Sequence, residues 1–112
     1  MIELRYYLTE DGQSLFERWY SRLDNLAAAK VTVALARLEQ GNLSNAKTLG
    51  GGLVECRIDW GPGYRVYFGR DGDVVVILLT GGTKRRQQKD IEAAHSLWLE
   101  YKQRKSSVRQ RP

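Results

Sequence analysis

The chain has 112 residues, 42% of them hydrophobic and 28% charged, with a formal net charge of +5; that is enough for one globular domain with one core and too little for two. Its longest apolar run, residues 74–79, is far too short to cross a bilayer, and its single cysteine, Cys56, rules out an intrachain disulfide and a zinc site of several thiolates. No secretory apolar segment opens the chain, so the expected location is cytoplasmic, with no membrane partner, metal or cofactor.

Residues 2–7 alternate enough to form a first strand. Thr9 is a fitting N-cap for a helix running to about Leu23, with Glu10 and Asp11 near its positive end. Leu15, Phe16, Trp19, Tyr20 and Leu23 then share one face at helical spacing. Asp24 or Asn25 caps a second helix whose buried stripe is Ala27, Val31, Ala34, Leu35 and Leu38, and Gly41 supplies its left-handed exit. The two helices make an antiparallel hairpin. Residues 42–52 read as a polar loop ending in three glycines. A phosphate cradle would need a helix after them, whereas a strand follows.

That strand has period two, with Val54, Cys56, Ile58 and Trp60 on one face and Leu53, Glu55, Arg57 and Asp59 on the other. Gly61-Pro62-Gly63 turns the chain into a second strand, where Tyr64, Val66 and Phe68 oppose Arg65 and Tyr67. Asp71-Gly72 signals a hairpin. Residues 73–80 are apolar on both faces, as in a central strand. A last helix spans about 86–102, with Ile91, Ala94, Leu97, Trp98 and Tyr101 as its apolar stripe. The fold class expected is α+β: a mainly antiparallel sheet, an N-terminal helical hairpin on one face and a C-terminal helix. Residues 1–101 form the domain. Residues 102–112 form a flexible basic tail, because Lys102, Arg104, Lys105, Arg109 and Arg111 follow the last acid, Glu100. Without those five cations the remaining 13 basic residues balance the 13 acidic ones, so any positive patch on the body must come from segregation between faces.

Arg57 and Arg65 fall on adjacent strands with outward parity, near enough to act on one ligand group. A salt-bridge ladder with Glu55 and Asp59 would also account for them. Lys84, Arg85 and Arg86 arrive at the same edge, at a helix start, where the dipole disfavours cations. Bound phosphate explains that placement, with Lys89 close behind. Tyr67, on the arginine face, could stack on a base, donate a hydrogen bond to phosphate or pack at the sheet edge. His95, the only histidine, is out of phase with the apolar stripe and reads as a surface residue. One His and one Cys leave histidine-pair, zinc and Cys-His chemistries without partners.

The order of elements resembles the RelE/ParE superfamily of bacterial toxins, and within it the HigB-like addiction-module killer proteins. The resemblance is carried by Glu55-Cys56-Arg57-Ile58, Gly63-Tyr64-Arg65-Val66-Tyr67-Phe68, and Gly81-Gly82-Thr83-Lys84 leading to Gln88-Lys89-Asp90-Ile91. It implies the toxin of a type II toxin–antitoxin pair, a metal-independent endoribonuclease that cleaves mRNA on the ribosome. Its cognate antitoxin would be a small helix-turn-helix protein. The resemblance carries over Arg57, Arg65, Lys84 and Arg85. With the reading of the residues themselves, the expected catalytic set is Arg57, Arg65, Lys84 and Glu55, the last as proton acceptor or as the holder of Arg57, with Tyr67, Arg85, Arg86 and Lys89 on the RNA. The competing reading is a non-catalytic inhibitor of DNA gyrase, as in ParE-like relatives.

Overall fold

The computed structural model describes residues 1–109. Its strands are β1 (Glu3–Tyr6), β2 (Ala46–Gly50), β3 (Leu53–Ile58), β4 (Tyr64–Asp71) and β5 (Val75–Thr83). Its helices are α1 (Leu15–Ser21), α2 (Asn25–Glu39) and α3 (Gln87–Arg109), the last preceded by a 3₁₀ turn, Lys84–Arg86. One sheet holds the strands in the order β1-β5-β4-β3-β2. β2 to β5 follow one another antiparallel, and β1 joins the edge of β5 in parallel, Glu3 opposite Val75. The expected α+β class, with its mainly antiparallel sheet, two N-terminal helices and a C-terminal helix, is what the chain forms.

The first helix starts five residues later than its polar prelude suggests. Thr9 closes a turn instead: its N–H bonds the Gln13 carbonyl at 2.8 Å, and the Gly12 N–H returns to the Thr9 carbonyl at 2.9 Å. Gly12 takes φ +80° there, where a Cβ would be strained. Ser14 is the true cap, its Oγ accepting from the Glu17 N–H at 3.0 Å, with serine and glutamate at capping-box spacing. In α2 the Asp24 carboxylate accepts from the Ala27 N–H at 2.8 Å.

Residues 42–52, expected as a loop, contain β2 and its turn into β3. An edge strand needs only one face half-covered, and here Ala46 and Leu49 are half-buried while Lys47 and Thr48 stay in solvent. Such a strand carries little apolar signal. The following glycines form a tight turn that receives the Trp98 indole N–H on the Gly51 carbonyl at 2.7 Å.

Two apolar layers sandwich the sheet. On one face Phe16, Val31 and Leu38 from α1 and α2 pack on Val54, Val66, Phe68, Val76 and Leu78. On the other, Ala94, Leu97 and Trp98 of α3 cover Leu53, Tyr67, Ile77 and Leu79. Glycines let two tryptophans lie flat on the strands. A Cβ at Gly69 would come 2.2 Å from the Trp98 ring, and one at Gly81 would come 2.3 Å from Trp19.

α3 continues beyond its expected end near Lys102 to Arg109. The Arg104 guanidinium donates to the Tyr7 hydroxyl at 2.9 Å and the Leu8 carbonyl at 2.8 Å, and Lys105 pairs with Asp71. These cations of the expected tail are therefore tied to β1 and the β4–β5 turn. Arg111 lies outside the described residues. Among the described residues no helix is long and apolar enough to cross a membrane.

Candidate functional site

The strand register assembles the predicted residues at one end of the sheet. Arg57 of β3 stands directly opposite Arg65 of β4, and Arg65 stands opposite Gly82 of β5. One step further in, Glu55 faces Tyr67. Like charges directly opposed across two strands are destabilising. Their juxtaposition on an otherwise balanced body therefore calls for a negative group nearby.

The structure supplies only part of that charge. Arg65 is 6% exposed and Glu55 1% exposed, and the Arg65 Nε lies 3.8 Å from Glu55 Oε2, beyond hydrogen-bond range. The same carboxylate oxygen accepts from the Tyr67 hydroxyl at 3.1 Å and from Gln87 Nε2 at 3.0 Å. Arg65 Nη1 donates to the Gly63 carbonyl at 3.2 Å, which also accepts the Lys84 backbone N–H at 2.8 Å. Gly63 thus brings the Arg65 guanidinium and the root of Lys84 to one point. Arg57, Lys84, Arg85, Arg86 and Lys89 are exposed. Arg65 is buried and held, Lys84 is rooted beside it through the Gly63 carbonyl, and exposed Arg57 stands opposite it on β3.

The outward parity of Arg57, Arg65 and Tyr67 predicts a face partly open to solvent, but α3 covers it except at the arginine end. Tyr67 is fully buried, and its hydroxyl is held by Glu55, so it presents no ring to a base. Burial, and then the Glu55 charge, raise the Tyr67 pKa far above the usual phenol range, which keeps it a donor. Glu55, expected as proton acceptor or as a holder of Arg57, is buried behind Tyr67 and Gln87, which donate to it, and lies beside Arg65. Its ion pair is with Arg65, not with the Arg57 of its own strand.

Gln87 and Asp90 belong to this site and were not anticipated. Asp90 lies against Gly82, where a Cβ would fall 1.8 Å from its Oδ2. That oxygen and Arg65 Nε are buried without a hydrogen-bond partner among the described residues. Burial raises the Asp90 pKa, and Arg86 opposes the rise. The available signal was Gly81-Gly82 inside an aliphatic strand, since adjacent glycines there mark a close approach on each face. Among the described residues no group of three or more His, Cys, Asp and Glu side chains is placed to hold a metal ion.

The class defined by these features is a small α+β domain with a cationic sheet end built around a buried arginine. No family model matches the chain. An uncharacterized protein of Haemophilus influenzae is 47% identical to it over 83 residues, an alignment that takes in 73% of this chain and 84% of the relative. The chain belongs to the same family as that Haemophilus protein.

Proposed function

We propose that this protein is the toxin of a type II toxin–antitoxin pair, similar to the HigB-like members of the RelE/ParE superfamily, and that it cleaves mRNA on the ribosome. The observation that carries the reading is the direct opposition of Arg57 and Arg65, with Lys84 rooted beside them on Gly63. Two arginines and a lysine carried at one end of the sheet suit the dianionic phosphorane formed when a ribose 2′-hydroxyl, giving its proton to solvent, attacks its own 3′-phosphate and the 5′-oxygen leaves. Arg65, fixed by Glu55 and Gly63, provides a preorganised grip. Arg57 can reach the phosphate from solvent, and Lys84 stands where it can neutralise or protonate the leaving 5′-oxygen. The ribosome would supply the in-line geometry that a shallow protein surface does not. This places the protein in the cytoplasm, in the company of mRNA and a cognate antitoxin of the small helix-turn-helix kind.

Burial of Glu55 favours a second reading, a ParE-like gyrase inhibitor without catalysis, because it removes the one carboxylate expected to accept a proton. End-mapping of mRNA after induced expression separates the two. Products with a 2′,3′-cyclic or 3′-phosphate and a 5′-hydroxyl, lost in Arg57→Ala and Lys84→Ala, are expected. A 5′-phosphate product would require an activated water and would refute the mechanism. Intact mRNA with gyrase-linked DNA breaks would transfer the assignment to the second reading. Both substitutions are on exposed side chains, so the variants should fold.

A further inference from the structure

A second cationic feature lies around the corner from the arginine pair. β2 begins at Ala46, and its last backbone bond toward this end joins the Arg57 N–H to the Asn45 carbonyl at 3.1 Å. Beyond that point β3 has no outer neighbour, and α2 overhangs a groove of about 320 Å³. Lys30 and Arg37 line its helical wall and Arg57 its strand wall, with Trp60 at the end and Cys56 on the floor. The Lys30 ammonium lies 5.8 Å from the centre of the Trp60 ring. No ion pair among the described residues holds Lys30, Arg37 or Arg57. Asp59 is the one acid on the lining, and α2 itself has none before Glu39.

Lys30 and Arg37 are seven residues apart on α2, about two turns or roughly 10 Å along its axis. They can therefore serve successive points of an extended polyanion. Arg57, whose side chain shares the opposite sheet face with Arg65, borders this groove at the free edge of β3, so a strand whose phosphate lies between Arg57 and Arg65 can reach the groove by turning around that edge. We propose that the groove between α2 and the free end of β3 holds the sugar–phosphate backbone of single-stranded RNA flanking the phosphate at Arg57 and Arg65, with Lys30 and Arg37 as its contacts and Trp60 as its apolar wall. This rests on the RNA reading above and adds a segment of substrate to it. Continuity through Arg57 favours RNA over an acidic peptide.

Cys56, the only cysteine in the chain, is a built-in reporter. Burial raises its thiol pKa, so alkylation is slow and limited by access. The test uses the full chain and a short single-stranded RNA with 2′-O-methyl riboses, which binds without being cleaved. Saturating RNA should slow Cys56 alkylation several-fold. In Lys30→Gln/Arg37→Gln, binding followed by fluorescence anisotropy should weaken on the order of tenfold. The slope of log affinity against log salt should shrink by about 1.4, for two lost phosphate contacts. Unchanged affinity and slope, alkylation indifferent to RNA, or no RNA binding by the wild type at low salt would each overturn the proposal. Protection by an acidic peptide where RNA gives none would overturn it in favour of a protein partner. Ribosomal cleavage is assayed separately: binding without cleavage leaves the groove standing and removes the nuclease. Cleavage by the wild type, with a double variant that binds as well, removes the groove alone.

Discussion

Glu55→Gln tests whether a buried ion pair underlies the site. Glu55 and Arg65 are both almost wholly out of water, and Oε2 also takes hydrogen bonds from Tyr67 and Gln87. Neutralising the carboxylate leaves a guanidinium that cannot lose its charge, with its Nε already unpartnered. Breaking a buried pair from one side typically costs about 3–5 kcal/mol. The lower end applies here, because the amide oxygen of glutamine can still accept from Tyr67 and the ion pair is long. About 3 kcal/mol is a large part of the stability of a domain this size, and at roughly 4 °C per kcal/mol it lowers the melting temperature by about 12 °C. Urea unfolding followed by tryptophan fluorescence measures it directly. Arg57→Gln, on the exposed member of the arginine pair, serves as the control and should unfold at or slightly above the wild-type midpoint. A Glu55→Gln midpoint equal to wild type would show that Arg65 needs no internal counter-charge, and the positioning role of Glu55 would fall.

Gly69→Ala drives a methyl into the Trp98 ring and should destabilise by about 3 kcal/mol or more; a thermal melt within a few degrees of wild type would contradict the packing described. The raised Asp90 pKa gives a signed pH dependence: its contribution is full below the unfolded carboxylate value of about 3.9 and is lost as pH rises through the higher folded value. Wild type should therefore lose stability relative to Asp90→Asn as pH rises from about 4, and urea midpoints that stay parallel at every higher pH would refute it. Truncation after Tyr101 should lower the melting temperature by removing the Arg104 and Lys105 anchors, whereas truncation after Lys105 should not. Equal melts for the two truncations would show the anchors to be idle.

Much of this architecture could be read from local chemistry. The alternation in residues 53–68 gave the correct faces of β3 and β4, and with them the opposition of Arg57 and Arg65. The Asp24 cap and the apolar stripe of α2 were equally plain. The start of α1 is less plain, since the capping box of Ser14 and Glu17 lies behind the more acidic Thr9 segment, whose residues close a turn instead. What local pattern cannot express is coverage from far along the chain. Nothing near Tyr67 announces that Gln87 and Trp98 will close over its face, so burial of Tyr67, Glu55 and Arg65 emerges only when α3 docks. The orphaned Asp90 oxygen is equally invisible, because Gly82 makes room for it across the sheet.

The parallel seat of β1 beside β5 has a consequence for the order of events during synthesis. Glu3 waits for Val75, and Glu55 waits for Gln87. A chain emerging from its N-terminus therefore carries an unpaired first strand until residues 75–78 have been made. Its inner arginine is not clamped until α3 follows. The arginine end of the sheet is thus completed only once α3 has been made, and a chain stopped before α3 would lack the fixed guanidinium along with the helix that seals it.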